Sequence, residues 1–243
     1  MPDLLDDVDR LLTPLPHSVR GIYDRVAPSY AQFRATWIKL AGADVEGAML
    51  GDLAAILQPG ARVLDAGAGT GALSRRMLGL QPDLDLTLLD LSPAMLAQAA
   101  DVRATQIEGS VLDLPFPDDA FDVVVSGWVI ETVPDPLRAV SEYLRVIRPT
   151  GYVLYTFCSL PAGWVSRAGT ALLRTVVENR FAGHFLPPEE TPWHDCERSR
   201  RRKSHTGLTT YVLLRKCCPI GAAIVPIPMG EIPEMIDPVH PSP

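Results

Sequence analysis

Three glycines in the run Val63-Leu64-Asp65-Ala66-Gly67-Ala68-Gly69-Thr70-Gly71 are the first residues whose type and spacing point to chemistry. They follow a short apolar stretch and precede an amphipathic one, so they read as a strand-to-helix turn. Glycine there lets the chain turn tightly and lets a ligand approach the backbone without a Cβ in the way. The spacing is GxGxG, not the GxGxxG of dinucleotide binders. Asp65 stands before the turn, where a carboxylate suits a ligand carrying an ammonium group and would repel pyrophosphate. Asp90 ends the next predicted strand, about 20 residues on, where a carboxylate can accept hydrogen bonds from both hydroxyls of a ribose. Alone, the turn is also an ordinary βα connection, and Asp90 is also a cap beside Ser92. Together, two carboxylates around a glycine turn point to a nucleoside ligand.

Other candidates are scattered. Glu131, in Trp128-Val129-Ile130-Glu131-Thr132-Val133-Pro134-Asp135, falls near the open end of the predicted sheet, where substrates approach. It reads as a base or a substrate anchor, and equally as a solvated carboxylate at a helix start. Trp128 reads as a pocket wall or, more commonly, a core residue. His184, His194 and His205 share a polar, irregular stretch, and histidine is the commonest general base near neutral pH. Glu131 and His194 are the candidate catalytic residues. The basic run Arg198-Ser199-Arg200-Arg201-Arg202-Lys203 suits an anionic substrate or RNA, but it lacks the interleaved aromatics that stack on bases. A solvated loop is expected there. Cys158, Cys196, Cys217 and Cys218 form no CxxC pair, and no metal centre is expected. They read as small buried hydrophobes, and no spacing supports a soft-metalloid site at Cys217-Cys218.

The elements that must position these residues follow from pattern. Ala61–Asp65, Leu84–Asp90, Ala104–Ile107, Phe121–Ser126 and Tyr152–Phe157 read as strands. Helices are expected over Ala72–Leu80, Ala94–Ala100 and Leu137–Ile147, the last with Leu137, Val140, Leu144 and Ile147 on one stripe. Ser92 is a good N-cap, and Pro93 suits the first helical turn. Strands alternating with helices through short links predict an α/β fold: a Rossmann-like, doubly wound, mostly parallel sheet with helices on both faces. An N-terminal helical lid is expected over residues 1–58, with helices near Leu4–Leu12 and over Ala43–Leu57. Residues 59–158 read as the binding core. Residues 159–218 read as a variable substrate region, with a helix over Trp164–Asn179, an irregular stretch over Ala182–Thr206 and a late strand over Leu208–Lys216. The tail 219–243 carries seven prolines and is expected to be extended or disordered.

Composition agrees with one such domain: 243 residues, 47% hydrophobic and 21% charged. A net charge of −7 argues against a general nucleic-acid coat. No apolar run reaches membrane-span length, and the acidic start lacks the basic flank and apolar run of a secretory signal. A cytoplasmic protein is expected.

Residues 20–157 resemble the class I S-adenosylmethionine-dependent methyltransferases, most of all the branch with the ubiquinone and menaquinone C-methyltransferases (a methyltransferase type 11-like domain). Five motifs match in order. Tyr23-Asp24-Arg25-Val26-Ala27-Pro28-Ser29-Tyr30 is similar to the segment that closes over the cofactor. Val63–Gly71 is similar to the first motif, and Leu88–Leu96 to the ribose segment. Glu108–Phe116 with Phe121–Val124 resembles the adenine segment and strand four. Leu144–Gly151 resembles the turn into strand five. The resemblance implies S-adenosyl-L-methionine as cofactor. It would set Gly67, Ala68 and Gly69 against the methionine part, Asp65 on its amino group and Asp90 on the ribose. Leu91 and Met95 would pack by the adenine, beside Ser110 and Val111 of the adenine segment. Ser126 and its neighbours would carry backbone contacts to the methionine part, and Tyr23 and Tyr30 would cover the site.

Two departures stand out. The family usually has aspartate after the glycine in its adenine segment; here the pair is Gly109-Ser110, which makes a weaker contact. Many relatives have a histidine-rich stretch where this chain has Trp128–Asp135. The implied activity is in-line SN2 methyl transfer to an oxygen, nitrogen or carbon of a small-molecule acceptor. The alternatives are a non-catalytic or partner-dependent S-adenosylmethionine binder, a nicotinamide oxidoreductase, which GxGxG and Asp65 oppose, and an RNA or metalloid methyltransferase. No (Asn/Asp)-Pro-Pro-(Tyr/Phe) motif for base amines follows strand four. Neither the acceptor nor the oligomeric state is read from the sequence.

Overall fold

The computed structural model describes residues 18–162, 164–187 and 198–216. The expected helix near Leu4–Leu12, His194, Cys196, Cys217, Cys218 and the proline-rich tail lie outside these residues.

The predicted alternation builds the sheet. Strands β1 (Ala61–Ala66), β2 (Leu84–Asp90), β3 (Thr105–Glu108), β4 (Phe121–Gly127) and β5 (Ile147–Cys158) are joined by α3 (Ala72–Leu80), α4 (Pro93–Ala97) and α5 (Pro136–Val146). Val63, Leu64, Val124 and Val125 are fully buried, because central strands of a parallel sheet are covered on both faces. The order is β3-β2-β1-β4-β5-β7-β6, where β6 spans Arg198–Lys203 and β7 spans Thr209–Arg215. β1 to β5 run parallel, and β7 inserts antiparallel between β5 and β6.

Several expectations are corrected. The stretch between the two expected N-terminal helices forms a long helix of its own, α1 (Val19–Trp37), with Pro28 inside it. Ser18 caps it, its Oγ accepting from Gly21 N at 3.1 Å. A π-helical segment over Ile38–Gly42 carries the chain into α2 (Ala43–Ile56). The buried face of α5 is Ala139, Val140, Tyr143 and Val146, while Leu137 stays exposed and Ile147 already belongs to β5. The helical stretch after residue 163 is two helices, α6 (Trp164–Gly169) and α7 (Ala171–Phe181). The basic run is no loop: it is β6, at the edge of the sheet. Charged side chains suit an exposed edge, and Arg200 reaches Asp52 of α2 at 2.7 Å.

One apolar core joins Met49 and Leu53 of α2 to Val63, Leu86 and Val123. Phe181 of α7 packs in a separate cluster with Val26, Ala27 and Met95. The helical arm thus lies over the carboxyl ends of β1, β2 and β4, where α/β sheets bind ligands. Among the described residues no helix is long and apolar enough to cross a membrane.

Candidate functional site

The glycine turn is shaped by close approach. Gly67 has φ +77° and Gly69 φ +54°, a region that L side chains rarely adopt. A Cβ on Gly67 would collide with Val129 Cγ2 and lie 3.0 Å from Cγ1. The backbone N–H groups of Gly67 and Ala68 both donate to Leu89 O, at 2.7 and 3.0 Å, which ties the turn to the end of β2.

Asp90 completes that tie. Its Oδ2 accepts from Gly69 N at 2.7 Å and its Oδ1 from Ser92 N at 2.9 Å. The carboxylate is therefore both a local brace, as the capping reading has it, and a wall of the cleft. Burial pushes its pKa up, against the two backbone donors. Asp65 is buried behind the turn, with Ser74 Oγ donating to its Oδ2 at 2.5 Å. Desolvation pushes Asp65 up to about 6.

Three cavities meet here. A cleft is lined by Tyr23, Tyr30, Gly67, Gly69, Asp90, Leu91, Met95, Ser110, Val111, Gly127 and Trp128, among others. A smaller cavity behind it is bounded by Asp65, Ala68, Thr70, Tyr30 and Arg34. The third is walled by Tyr23, Tyr30, Phe33, Trp37, Trp128 and Phe181, with Glu131, Thr132, Cys158 and Arg34. Tyr23, Tyr30, Trp128 and Thr132 line both large cavities, so those two adjoin.

Nearly all the sequence-predicted residues are brought together. Tyr23, Tyr30, Gly67, Gly69, Asp90, Leu91, Met95, Ser110 and Val111 line the cleft, and Asp65 and Ala68 line the smaller cavity. Ser126 is not at the surface of any of the three. Its Oγ donates to Ala66 O at 2.8 Å and lies 3.0 Å from Tyr143 Oη in the core, while the next residue, Gly127, lines the cleft. Alternation along β4 turns the two residues to opposite faces. Ser110 Oγ accepts from Leu112 N at 3.2 Å. His184 is exposed, and His205 pairs with Asp44 at 2.8 Å, away from the cavities.

Glu131 is the most unusual group. It sits in the 3₁₀ turn Ile130–Thr132 and is only 2% exposed, so it is no solvated carboxylate. Its Oε1 accepts from Cys158 N at 3.1 Å, and its Oε2 has no hydrogen-bond partner among the described residues. Such an orphan is rare in a folded protein. Desolvation pushes Glu131 up to about 7. Burial and the nearby Glu131 also push the Cys158 thiol well up, so it stays neutral.

Helix α1 is docked from several sides. Tyr23 Oη donates to Phe181 O at 3.0 Å, and its ring meets Tyr30 edge-on at 5.9 Å. Ser92 Oγ donates to Asp24 Oδ1 at 2.6 Å, joining α1 to the start of α4. Phe33 and Phe181 stack at 3.6 Å. Sequence reasoning missed Phe33, Arg34, Trp37, Cys158 and Phe181. A signal existed for part of this set: Tyr23, Tyr30, Phe33 and Trp37 recur at helical spacing.

The sheet order and the glycine turn at the end of β1 define the class I methyltransferase fold. A model of the family "Methyltransferase domain" matches residues 64–155. The chain is 34% identical over 200 residues to a demethylmenaquinone methyltransferase of Renibacterium salmoninarum, covering 74% of this chain and 79% of that one. It is 40% identical over 110 residues to the chloroplastic 2-methyl-6-phytyl-1,4-hydroquinone methyltransferase 2 of Oryza sativa, covering 44% of this chain and 32% of that one. A solved Thermotoga maritima structure, an S-adenosylmethionine-dependent methyltransferase described as a possible histamine N-methyltransferase, shares the fold. Its TM-score is 0.56 at 19% identity, with 80% of this chain and 98% of that chain covered. The chain belongs to the S-adenosylmethionine-dependent methyltransferases of class I. It spans roughly a third to a half of the length of the curated relatives it matches over shorter stretches.

Proposed function

We propose that this protein transfers a methyl group from S-adenosylmethionine to a small, largely apolar acceptor seated in the aromatic-walled cavity. The observation that carries this reading is the shared wall. The cleft beside the glycine turn and the cavity holding Glu131 adjoin at Tyr23, Tyr30, Trp128 and Thr132.

The residues present fit the cofactor. Glycine at 67 makes room for Val129, while at Gly69 a Cβ would meet only Tyr30, 3.8 Å away, so the turn's backbone stays open to the methionine part. Asp65 suits the amino group, Asp90 the ribose hydroxyls, and Leu91, Met95, Ser110 and Val111 the adenine. Ser126 contributes no side-chain contact in this reading, and the backbone at Ser126–Gly127 faces the methionine part. The sulfonium supplies an already activated methyl, so no metal is needed. Positioning alone contributes up to ~7–11 kcal/mol to such a reaction.

The chain's own groups do the rest. Tyr23, Tyr30 and Phe181 shut out water. Glu131 Oε2 takes the proton that the acceptor loses as its oxygen, nitrogen or carbon attacks the methyl. Its elevated pKa matches a base working near neutral pH. Of the described residues, 18–58 act as the lid, 59–158 as the cofactor core, and Val177, Phe181 and Gly183 as the outer wall of the acceptor cavity. His194 has no role in this reading. The rice relative is named for a phytyl-hydroquinone, and an apolar ring bearing an ionisable hydroxyl suits these walls.

The test is calorimetry with S-adenosylmethionine and its demethylated product, then mass spectrometry of acceptor panels for a gain of one methyl. No heat with either cofactor form would refute the reading. Binding without any methylated product across quinols, phenols and amines would favour a non-catalytic binder.

A further inference from the structure

Trp128 is a wall residue to which the proposed function gives no chemistry. Its backbone sits at φ +64°, a region that bulky side chains rarely occupy. Trp128 N donates to Thr156 O at 2.9 Å, which ties the residue to β5 and holds it in that conformation. The ring is seated as firmly. Its Cζ2–Cη2 edge lies against Gly42, where a Cβ would come within 3.0 and 3.1 Å of it, and Trp37 meets the ring edge-on at 6.2 Å. Strain of this kind persists where the surroundings over-determine it, and it clusters at ligand sites. Here it leaves the indole on the wall that the two large cavities share.

The indole N–H is unsatisfied. Trp128 is buried, and its Nε1 has no hydrogen-bond partner among the described residues. Glu131, three residues on, is the complement: a buried Oε2 without a partner, in the aromatic-walled cavity that Trp128 also lines. That cavity thus carries an unpaired donor and an unpaired acceptor in largely aromatic surroundings. Buried polar groups are nearly always paired, so the two together point to a ligand that supplies both partners. A hydroxyl does so, since it donates its hydrogen and accepts through its oxygen. We propose that Trp128 Nε1 donates to the oxygen of the acceptor's hydroxyl while Glu131 Oε2 receives that hydroxyl's proton, so that the pair selects phenolic or enolic acceptors over amines. This rests on the methyl-transfer reading above. As the proton leaves, negative charge grows on the oxygen, where a fixed N–H in a water-poor site counts most. An arylamine can donate to Glu131, but its nitrogen is a poor acceptor and leaves Trp128 unpaired. Sites built to hydrogen-bond a substrate group discriminate strongly against analogues that lack it.

The test uses para-chlorophenol and para-chloroaniline, which match in shape and are both uncharged near neutral pH. Binding is measured by calorimetry on protein saturated with S-adenosylhomocysteine. The wild-type protein is expected to prefer the phenol, and Trp128→Phe to cut that preference about tenfold, chiefly by weakening the phenol. An unchanged preference in a folded variant would overturn the role of Trp128 and leave the methyl-transfer reading standing. So would a wild-type protein that binds S-adenosylhomocysteine but prefers the aniline or takes neither probe. Should Trp128→Phe not fold, the indole N–H resonances of the four tryptophans in the isotope-labelled wild-type protein decide the matter. The Trp128 signal, assigned by elimination with Trp37→Phe, Trp164→Phe and Trp193→Phe, is expected to move downfield with the phenol and much less with the aniline. Equal movement with both probes would overturn the role. A protein that did not bind S-adenosylhomocysteine would remove the methyl-transfer reading and this inference with it.

Discussion

Gly69 donates its backbone N–H to Asp90 Oδ2 at 2.7 Å, so the glycine turn after β1 and the acidic end of β2 form one hydrogen-bonded unit. The second oxygen of Asp90 holds Ser92 N, at the cap of α4. Replacing Asp90 therefore does two things. Asp90→Ala removes the proposed ribose acceptor and leaves two backbone donors without their carboxylate, at about 1–3 kcal/mol each where water cannot replace it. The expected result is a loss of at least tenfold in S-adenosylmethionine affinity by calorimetry and a lower Tm. Asp90→Asn keeps one carbonyl oxygen and should fall between. Wild-type affinity in Asp90→Ala would exclude Asp90 from ribose binding.

Gly67 is constrained twice, by φ +77° and by Val129. Gly67→Ala is expected to lower stability by about 1–3 kcal/mol in urea unfolding. Val129→Ala relieves the steric part and not the backbone part. The double variant should therefore recover some stability and remain below Val129→Ala alone. Simple additivity of the two changes would show that the Gly67–Val129 contact is not the cause.

Glu131 gives a pH signature in activity. Its carboxyl must be ionised to accept a proton, and burial holds its pKa at about 7. The rate of methyl transfer is expected to rise as pH passes through about 7. Glu131→Gln should lose this rise together with about 10²-fold or more of kcat. A Glu131→Gln enzyme with unchanged kcat would make Glu131 a structural group.

The same residue gives an opposite signature in stability. The folded pKa lies above the ordinary value of 4.5, so between about 4.5 and 7 the folded state holds a proton that the unfolded chain has released. Stability from this group is full below 4.5 and declines as pH rises through about 7. Glu131→Gln should flatten that decline and raise the stability at pH 8, by an amount on the order of 3 kcal/mol at most, with a higher Tm. Thermal unfolding from pH 4.5 to 8 measures it; equal slopes for wild type and variant would mean that Glu131 is not buried as described.

Ser110 tests the adenine end. Its hydroxyl accepts from Leu112 N at 3.2 Å and lines the cleft. Ser110→Asp puts a carboxylate where serine stands, still able to accept from Leu112 and better able to accept from an exocyclic amine. Affinity for S-adenosylmethionine should match or exceed wild type. Weaker binding, with Tm unchanged, would move the adenine elsewhere in the cleft.

Much of this was legible along the chain. The strands around the turn, α3 and the end of β2 at Asp90 fall where apolar runs, glycines and the Ser92-Pro93 cap place them. These signals are local, and each one is satisfied by its own neighbours. The readings that moved depended on distant surfaces. The basic run became an edge strand because β7 offered it a partner. Trp128 proved both core and wall, its ring packed on Gly42 of the π-helical segment and its edge turned to both cavities.

By itself the sequence determined the order of strands and helices, the GxGxG turn and the two carboxylates that flank it. Periodicity and backbone freedom are properties of adjacent residues, so no folded partner is needed to read them. Only the tertiary structure decided what Glu131 and Arg34 face. A carboxylate in Val129-Ile130-Glu131-Thr132 is solvated or buried according to whether β5 and the segment after α7 close over it. Cys158 N holds its Oε1, while its own backbone carbonyl accepts from His184 N. Arg34 looks like any surface arginine on a helix until Glu46 and Arg76 hold it beside Asp65, three positions brought together by packing alone.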